Sequence, residues 1–315
     1  MAGPSQTGRP TSVGAGFETS KTANTSGWPA EIHPQPAMEL DAFAKLVWER
    51  GMEQYRNLPW RLTRDPYEVW ISEVMLQQTQ VSRVDGRWQS WLDRFPTIEV
   101  LAGANQADVL EEWQGMGYNR RALALHRAAG IVVEAGEFPT SLEDLTALPG
   151  IGPATAAGIR AFAFNLPGVY LETNVRSVFL HELFPRETNV PDKRLVPLVE
   201  AACPHDDVRG WYYALLDYGS WLKRTIGNPS RRSRTHARQS EFQGSHRQKR
   251  ASVVRMLLEA RKEGEGLSAS TAARELTRQE EAAGRDGVSV AYAKKILSEL
   301  EAEGFCSRNS DVWIV

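Results

Sequence analysis

The sequence has little cysteine, no long apolar run and no overall excess of either charge. Two cysteines, Cys203 and Cys306, in 315 residues are too few for a disulfide scaffold, a four-thiolate zinc site or a cysteine-ligated iron–sulfur cluster. No stretch approaches the roughly 20 apolar residues that a bilayer span needs, so no membrane partner is expected. Residues 1–16 lack the basic-then-apolar layout of a secretion signal, and a cytoplasmic protein is expected. The formal charge is only −2, but it is unevenly spread. Segment 223–250 holds nine Lys and Arg against the single acid Glu241, which is +8 there and −10 elsewhere. A polyanion partner and a solvated, self-repelling linker are both consistent with such a run.

What is present is apolar material for a core, 42% of the chain, over a length that suggests two domains. Residues 1–36 are rich in Gly, Ser, Thr, Pro and Ala and are expected to be a disordered tail. Residues 37–222 carry apolar residues at helical spacing, punctuated by Pro and Gly and without a run of alternating strands, which predicts an all-α domain. Asp65-Pro66 is a helix start, and Thr140 with Glu143 resembles a capping box. Residues 223–247 read as a basic linker. Residues 248–315 form three amphipathic segments, each ending at a glycine, followed by two short apolar pieces around Asn309-Ser310-Asp311. Three helices and a terminal hairpin predict a small winged-helix-like module, which can bind DNA or only mediate packing.

The most informative stretch is Leu148-Pro149-Gly150-Ile151-Gly152-Pro153-Ala154-Thr155-Ala156. It joins a helix ending near Ala147 to one beginning near Pro153. Glycines at 150 and 152 allow a tight turn whose N–H groups, at a helix start, can hold a phosphate without side-chain charge. Taken alone, the two glycines also fit a plain helix–helix turn. The fuller pattern resembles the hairpin of the helix-hairpin-helix DNA glycosylases, the superfamily of endonuclease III and MutY. The resemblance covers residues 43–222, through Leu58-Pro59-Trp60-Arg61, through Trp113-Gln114-Gly115-Met116-Gly117-Tyr118, and through the MutY-type run Ser72-Glu73-Val74-Met75-Leu76-Gln77-Gln78-Thr79-Gln80-Val81.

The resemblance implies that Glu73 is the general acid and base that protonates a purine at N7, and that the glutamines enter the duplex near the lesion. On a helix Glu73 shares a stripe with Trp70 and Gln77, where desolvation would hold its proton near neutral pH. Cleavage through an oxocarbenium-like state needs a second carboxylate. The matching string, Leu171-Glu172-Thr173-Asn174-Val175-Arg176, gives Glu172 where the family has Asp, with Asn174 beside it. Glu172 also fits a helix-start carboxylate. The DNA contacts implied are Gln77, Gln78, Thr79, Tyr118, the hairpin residues Pro149, Gly150, Ile151, Gly152, Ala154 and Thr155, and, from the basic run, Arg231, Arg232 and Arg234.

This chain departs from the family in four ways. Glu172 replaces Asp. Ala154 stands where bifunctional members have the Schiff-base lysine, which removes the amine needed for strand nicking. The stretch that matches the family's cysteines, from Leu216 into the basic linker, carries none, so an iron–sulfur cluster is not expected, nor any other cofactor or metal. Residues 248–315 do not resemble the Nudix-like domain of MutY proteins. The expected activity is that of a monomeric, monofunctional glycosylase without AP lyase activity, acting in base excision repair on duplex DNA that holds a lesion or mismatch. The expected base is adenine mispaired with guanine or 8-oxoguanine. Two alternatives are a glycosylase for another deaminated or oxidised base and a non-catalytic DNA-binding protein.

Overall fold

The structure, a computed structural model, describes residues 26–32, 35–236 and 240–315. The first lobe is helical: α1 (Leu40–Glu53), α2 (Pro66–Leu76), α3 (Val81–Val84), α4 (Arg87–Arg94), α5 (Ile98–Ala102), α6 (Gln106–Glu112), α7 (Arg120–Ala135), α8 (Leu142–Ala147), α9 (Pro153–Phe164), α10 (Thr173–Leu183), α11 (Asp192–Ala202) and α12 (Val208–Thr225). The second is α13 (His246–Lys262), β1 (Leu267–Ser268), α14 (Ala269–Ala282), α15 (Val290–Ala302), β2 (Ser307–Asn309) and β3 (Val312–Ile314), with antiparallel strand order β1-β3-β2. This is the winged-helix order. The two-residue β1, which pairs Leu267 with Trp313, is too short to leave a period in the sequence.

α2 is the organising element. Pro66 at its first position and Asp65, which accepts from the N–H groups of Tyr67 (2.9 Å) and Glu68 (3.1 Å), start it as expected. Beyond that turn its residues from Val69 to Met75 are all buried. A helix apolar on every side must be packed on every side. Trp70, Ile71 and Met75 enter one core with Trp91 and Trp113, while Val69 enters a second with Phe43, Phe162, Phe179 and Trp211. Glu73 is thus carried into the interior by its neighbours.

The structure corrects three expectations. Residues 1–25, 33 and 34 of the expected tail lie outside the described residues, but Trp28 is 2% exposed, packs on Phe43 and donates from its indole to the Met38 carbonyl at 2.8 Å. Trp28, with the buried Ile32 beside it in the same core, supplies enough apolar burial to dock a segment whose composition is otherwise polar. The expected linker is largely built into the helical lobe. α12 runs to Thr225, Ser230 and Ser233 are buried, and Val190 and Ser233 form a β-bridge. Only 237–239 of it lie outside the described residues. The helix cap near residue 140 falls one residue later: Ser141, not Thr140, accepts from the Asp144 N–H at 3.0 Å, and the Thr140 carbonyl is held by Arg160 at 2.5 Å.

The C-terminal lobe packs on α6 and α7. Its core, from Val253 through Leu276 and Ile296 to Trp313, is continuous with that of the helical lobe. Arg120 makes a two-pronged pair with Glu303 at 2.5 and 2.6 Å, Arg261 reaches Asp108 at 2.9 Å, and Lys262 pairs with Glu111.

Candidate active site

Glu73 sits in the last turns of α2, 8% exposed. Its environment comes from two residues that the sequence reading did not single out. Tyr170 donates its hydroxyl to Glu73 Oε2 at 3.1 Å. Gly158 of α9 lies so close that a Cβ placed there would be 2.3 Å from the same oxygen, so a glycine is what lets the carboxyl lie between α2 and α9. Tyr170 is itself held edge-on by Phe162 and Tyr212, each at 5.3 Å between ring centres. Burial pushes the Glu73 carboxyl from its ordinary 4.5 up to about 8, opposed by the Tyr170 hydrogen bond and reinforced by the charge of Glu172. Trp70, the neighbour expected from helical spacing, instead has Phe138 edge-on against its indole at 6.0 Å. The carboxyl is enclosed by the backbone of a glycine and the hydroxyl of a tyrosine, both distant in sequence, which no pattern within one helix reveals.

Glu172 is the N-cap of α10. Its Oε1 accepts from the backbone N–H groups of Asn174 (2.5 Å) and Val175 (3.0 Å), while among the described residues Oε2 has only the Asn174 amide, at 3.5 Å. The helix-start reading therefore describes one oxygen and leaves the other lightly engaged. Burial raises its pKa, against the two N–H bonds and the charges of Lys223 and Arg176. Asn174 accepts from Lys223 Nζ at 3.3 Å, and Gly219 of α12 lies against the Asn174 carbonyl.

The hairpin is α8, the turn at 148–152, and α9. Gly150 has φ +79°, and a Cβ there would come within 2.7 Å of Ala124 Cβ, so the turn needs glycine both for its backbone and for its approach to α7. Pro149 is half-buried and Ile151 is buried. Gly152 caps α9, and Ala154 stands exposed in its first turn. Thr155 is buried and accepts from the Gln77 amide at 2.9 Å. Gln78 (φ +53°) and Tyr118 (φ +50°) follow in left-handed conformations.

A third residue outside the sequence reading joins these loops. Arg121 donates to the carbonyls of Val74 (2.6 Å), Met75 (3.1 Å) and Gln77 (2.7 Å) at the end of α2. It also donates to those of Met116 (3.2 Å) and Gly117 (3.1 Å), and to the Thr79 hydroxyl (3.0 Å). One guanidinium thus fixes the turn after Glu73 to the loop bearing Tyr118, satisfying carbonyls that a helix end would otherwise leave open.

The basic run behaves differently. Arg232 donates to the carbonyls of Leu180 (2.6 Å), Phe184 (2.6 Å), Pro185 (3.0 Å) and Glu187 (3.4 Å). Those bonds tie down the end of α10. Arg234 reaches Asn189 at 3.4 Å. Arg231 is exposed.

Residues 71–199 match the model for HhH-GPD superfamily base excision DNA repair proteins. The chain is 35% identical over 170 residues to an adenine DNA glycosylase of Buchnera aphidicola subsp. Baizongia pistaciae (53% of this chain, 48% of the relative). It is 37% identical over 166 residues to that of Mycolicibacterium smegmatis (51% and 56%), and 39% identical over 151 residues to the human one (44% and 28%). The chain thus spans about half the length of the bacterial relatives. A thermostable thymine-DNA glycosylase structure superposes with TM-score 0.51 at 22% identity, covering 57% of this chain and 86% of that one. The helical lobe has the helix-hairpin-helix glycosylase fold.

Proposed function

We propose that this chain is a monofunctional DNA glycosylase of base excision repair that releases adenine paired with guanine or 8-oxoguanine. The observation that carries the proposal is the Glu73 carboxyl, buried and with a pKa of about 8, which keeps its proton at neutral pH as an acid catalyst must. A base rotated out of the duplex into this site takes that proton as the N-glycosidic bond breaks, the bonding pair leaving with the base. Glu172 opposes the positive charge left on the sugar. Water adds at C1′ and gives its proton to the Glu73 carboxylate, which restores the acid.

The names of the relatives support adenine as the base. Ala154 offers no amine for an imine with the opened sugar, so the strand stays intact. Stretch 217–235 contains no cysteine, and with Arg232 pinning its end the site works without a cluster.

The test is incubation of the purified chain with duplexes carrying adenine opposite 8-oxoguanine, guanine, cytosine or thymine, with and without subsequent hot alkali. Scission is expected only after alkali, from the first two duplexes. Failure to release adenine from any of them overturns the assignment, and release of a deaminated or oxidised base instead replaces adenine with that base.

A further inference from the structure

Between the two lobes lies a cavity of about 1240 Å³. One wall carries Arg83, Gln78 and Tyr118, and the other, from α13 and the chain before it, carries Phe242, Arg247 and Arg255. Tyr118 is 41% and Phe242 50% exposed, so two aromatic rings face the same open space. The acids at its edge are already engaged: Glu303 with Arg120 and Arg250, and Glu299 with Arg250 and His246. Among the described residues Arg83 and Arg255 have no acidic partner, and Arg247 holds only neutral acceptors, the Ser240 carbonyl at 2.7 Å and the Tyr118 hydroxyl at 3.0 Å. Unpaired arginines beside exposed rings fit a strand of nucleic acid, whose phosphates take the charge and whose bases stack.

The turn after α2 separates this cavity from the acid. Gln77 and Gln78 both line the cavity at this turn, and Gln77 also sends its amide to Thr155 on the α9 side, so the turn borders the cavity and the hairpin at once. We infer that the interlobe cavity receives the nucleotide of the complementary strand opposite the excised base, with Tyr118 and Phe242 flanking that base and Arg83, Arg247 and Arg255 on the adjoining phosphates. The strand assignment rests on the glycosylase reading above. The C-terminal lobe then forms part of the surface that senses the opposite base.

The test uses the full chain and a duplex holding 8-oxoguanine opposite the target adenine, with 5-iodouracil beside the 8-oxoguanine in the complementary strand, which crosslinks to nearby aromatic side chains on irradiation. The adduct is expected in the peptide holding Phe242, and Phe242→Leu should shift it to Tyr118 or lose it. Phe242→Ala should weaken binding of an 8-oxoguanine duplex by about tenfold, as loss of one base–aromatic stack would. Arg247→Ala with Arg255→Ala should flatten the log–log salt dependence by about two units. Phe242, Arg247 and Arg255 lie apart from Glu73, and wild-type base release is scored in parallel. Wild-type excision with unchanged crosslinking, affinity and salt slope in the variants overturns the inference while the glycosylase reading stands. Tighter binding by the variants also overturns it, since the lobe would then be closing the cleft. Crosslinking at Phe242 without base release supports the cavity and removes the glycosylase reading.

Discussion

Two stretches of this chain draw attention for opposite reasons, residues 69–76 for one carboxyl in an apolar string and residues 223–250 for their concentrated positive charge. The first keeps its ionisable group free of any cation: among the described residues Glu73 has a tyrosine hydroxyl and a glycine beside it and no ion pair. The second spends four of its nine cations on the protein itself. Lys223 holds Asn174, Arg232 holds four carbonyls, Lys249 pairs with Glu280 at 2.9 Å, and Arg250 bridges Glu299 and Glu303. Charge density in a sequence measures what a segment could bind, and only the fold decides what it is left to bind. The lone buried charge is costly unless it protonates, and that cost is what makes it chemically useful.

The comparison breaks most easily at Glu73. Glu73→Gln keeps the shape and loses the proton, so base release should fall by at least the ~10²- to 10⁴-fold typical of general acid–base catalysis, with duplex affinity within a few fold. Single-turnover excision and binding measured together check this, and substantial residual turnover would remove Glu73 from its role. The same change should alter stability with pH. A folded-state pKa raised from 4.5 to about 8 contributes stability that is complete below the first value and lost as pH rises through the second. Denaturant melts across that window should show a smaller decline in Glu73→Gln than in the native chain, the remainder coming from Glu172, whose pKa burial also raises. Gly158→Ala comes next. Its Cβ would meet Glu73 Oε2 at 2.3 Å and must move the carboxyl, at a cost of about 10² in rate, the usual penalty for an ångström of misplacement. An unchanged rate would mean that the position of this oxygen does not matter.

How much of this could be read in advance follows the same division. Local signals did well: Asp65-Pro66 starts α2, the hairpin lies between Ala147 and Pro153, and Gly264, Gly284 and Gly304 end the last three helices with positive φ. Glu73 was visible because its string is distinctive. Tyr170, Gly158 and Arg121 were not, because each meets Glu73 or the end of α2 from 44 to 97 residues away in sequence. The packing of Trp28 and the spending of Arg232 were missed because composition describes a segment before it finds partners.

A smaller effect separates two neighbours in the basic run. Arg232→Ala should cost about 1–3 kcal/mol of stability, because it strips charged donors from partly buried carbonyls at the end of α10. Arg231→Ala should leave the melting temperature alone and, if that exposed side chain meets a phosphate, flatten the salt dependence of duplex binding by about 0.9. Thermal melts and salt titrations on both variants test the pair. Equal effects on both readouts would erase the distinction between structural and available charge.

The smallest effect is the most specific. Tyr170 donates its hydroxyl to Glu73, and a donor favours the ionised carboxylate, so it lowers a pKa that burial has raised. Tyr170→Phe removes that donor and keeps the ring that Phe162 and Tyr212 enclose. The acid should then hold its proton to higher pH. Base release by a protonated Glu73 falls as pH passes through its pKa, so the alkaline limb of the rate profile, expected near pH 8, should move upward. The shift should be a unit or less, since a net hydrogen bond of about 1 kcal/mol corresponds to somewhat under one pKa unit. The rate on the acidic plateau should change little, because protonated Glu73 still donates to the base. A limb that moves down, or one that stays while the plateau collapses, would mean that Tyr170 meets the substrate directly instead of tuning the acid.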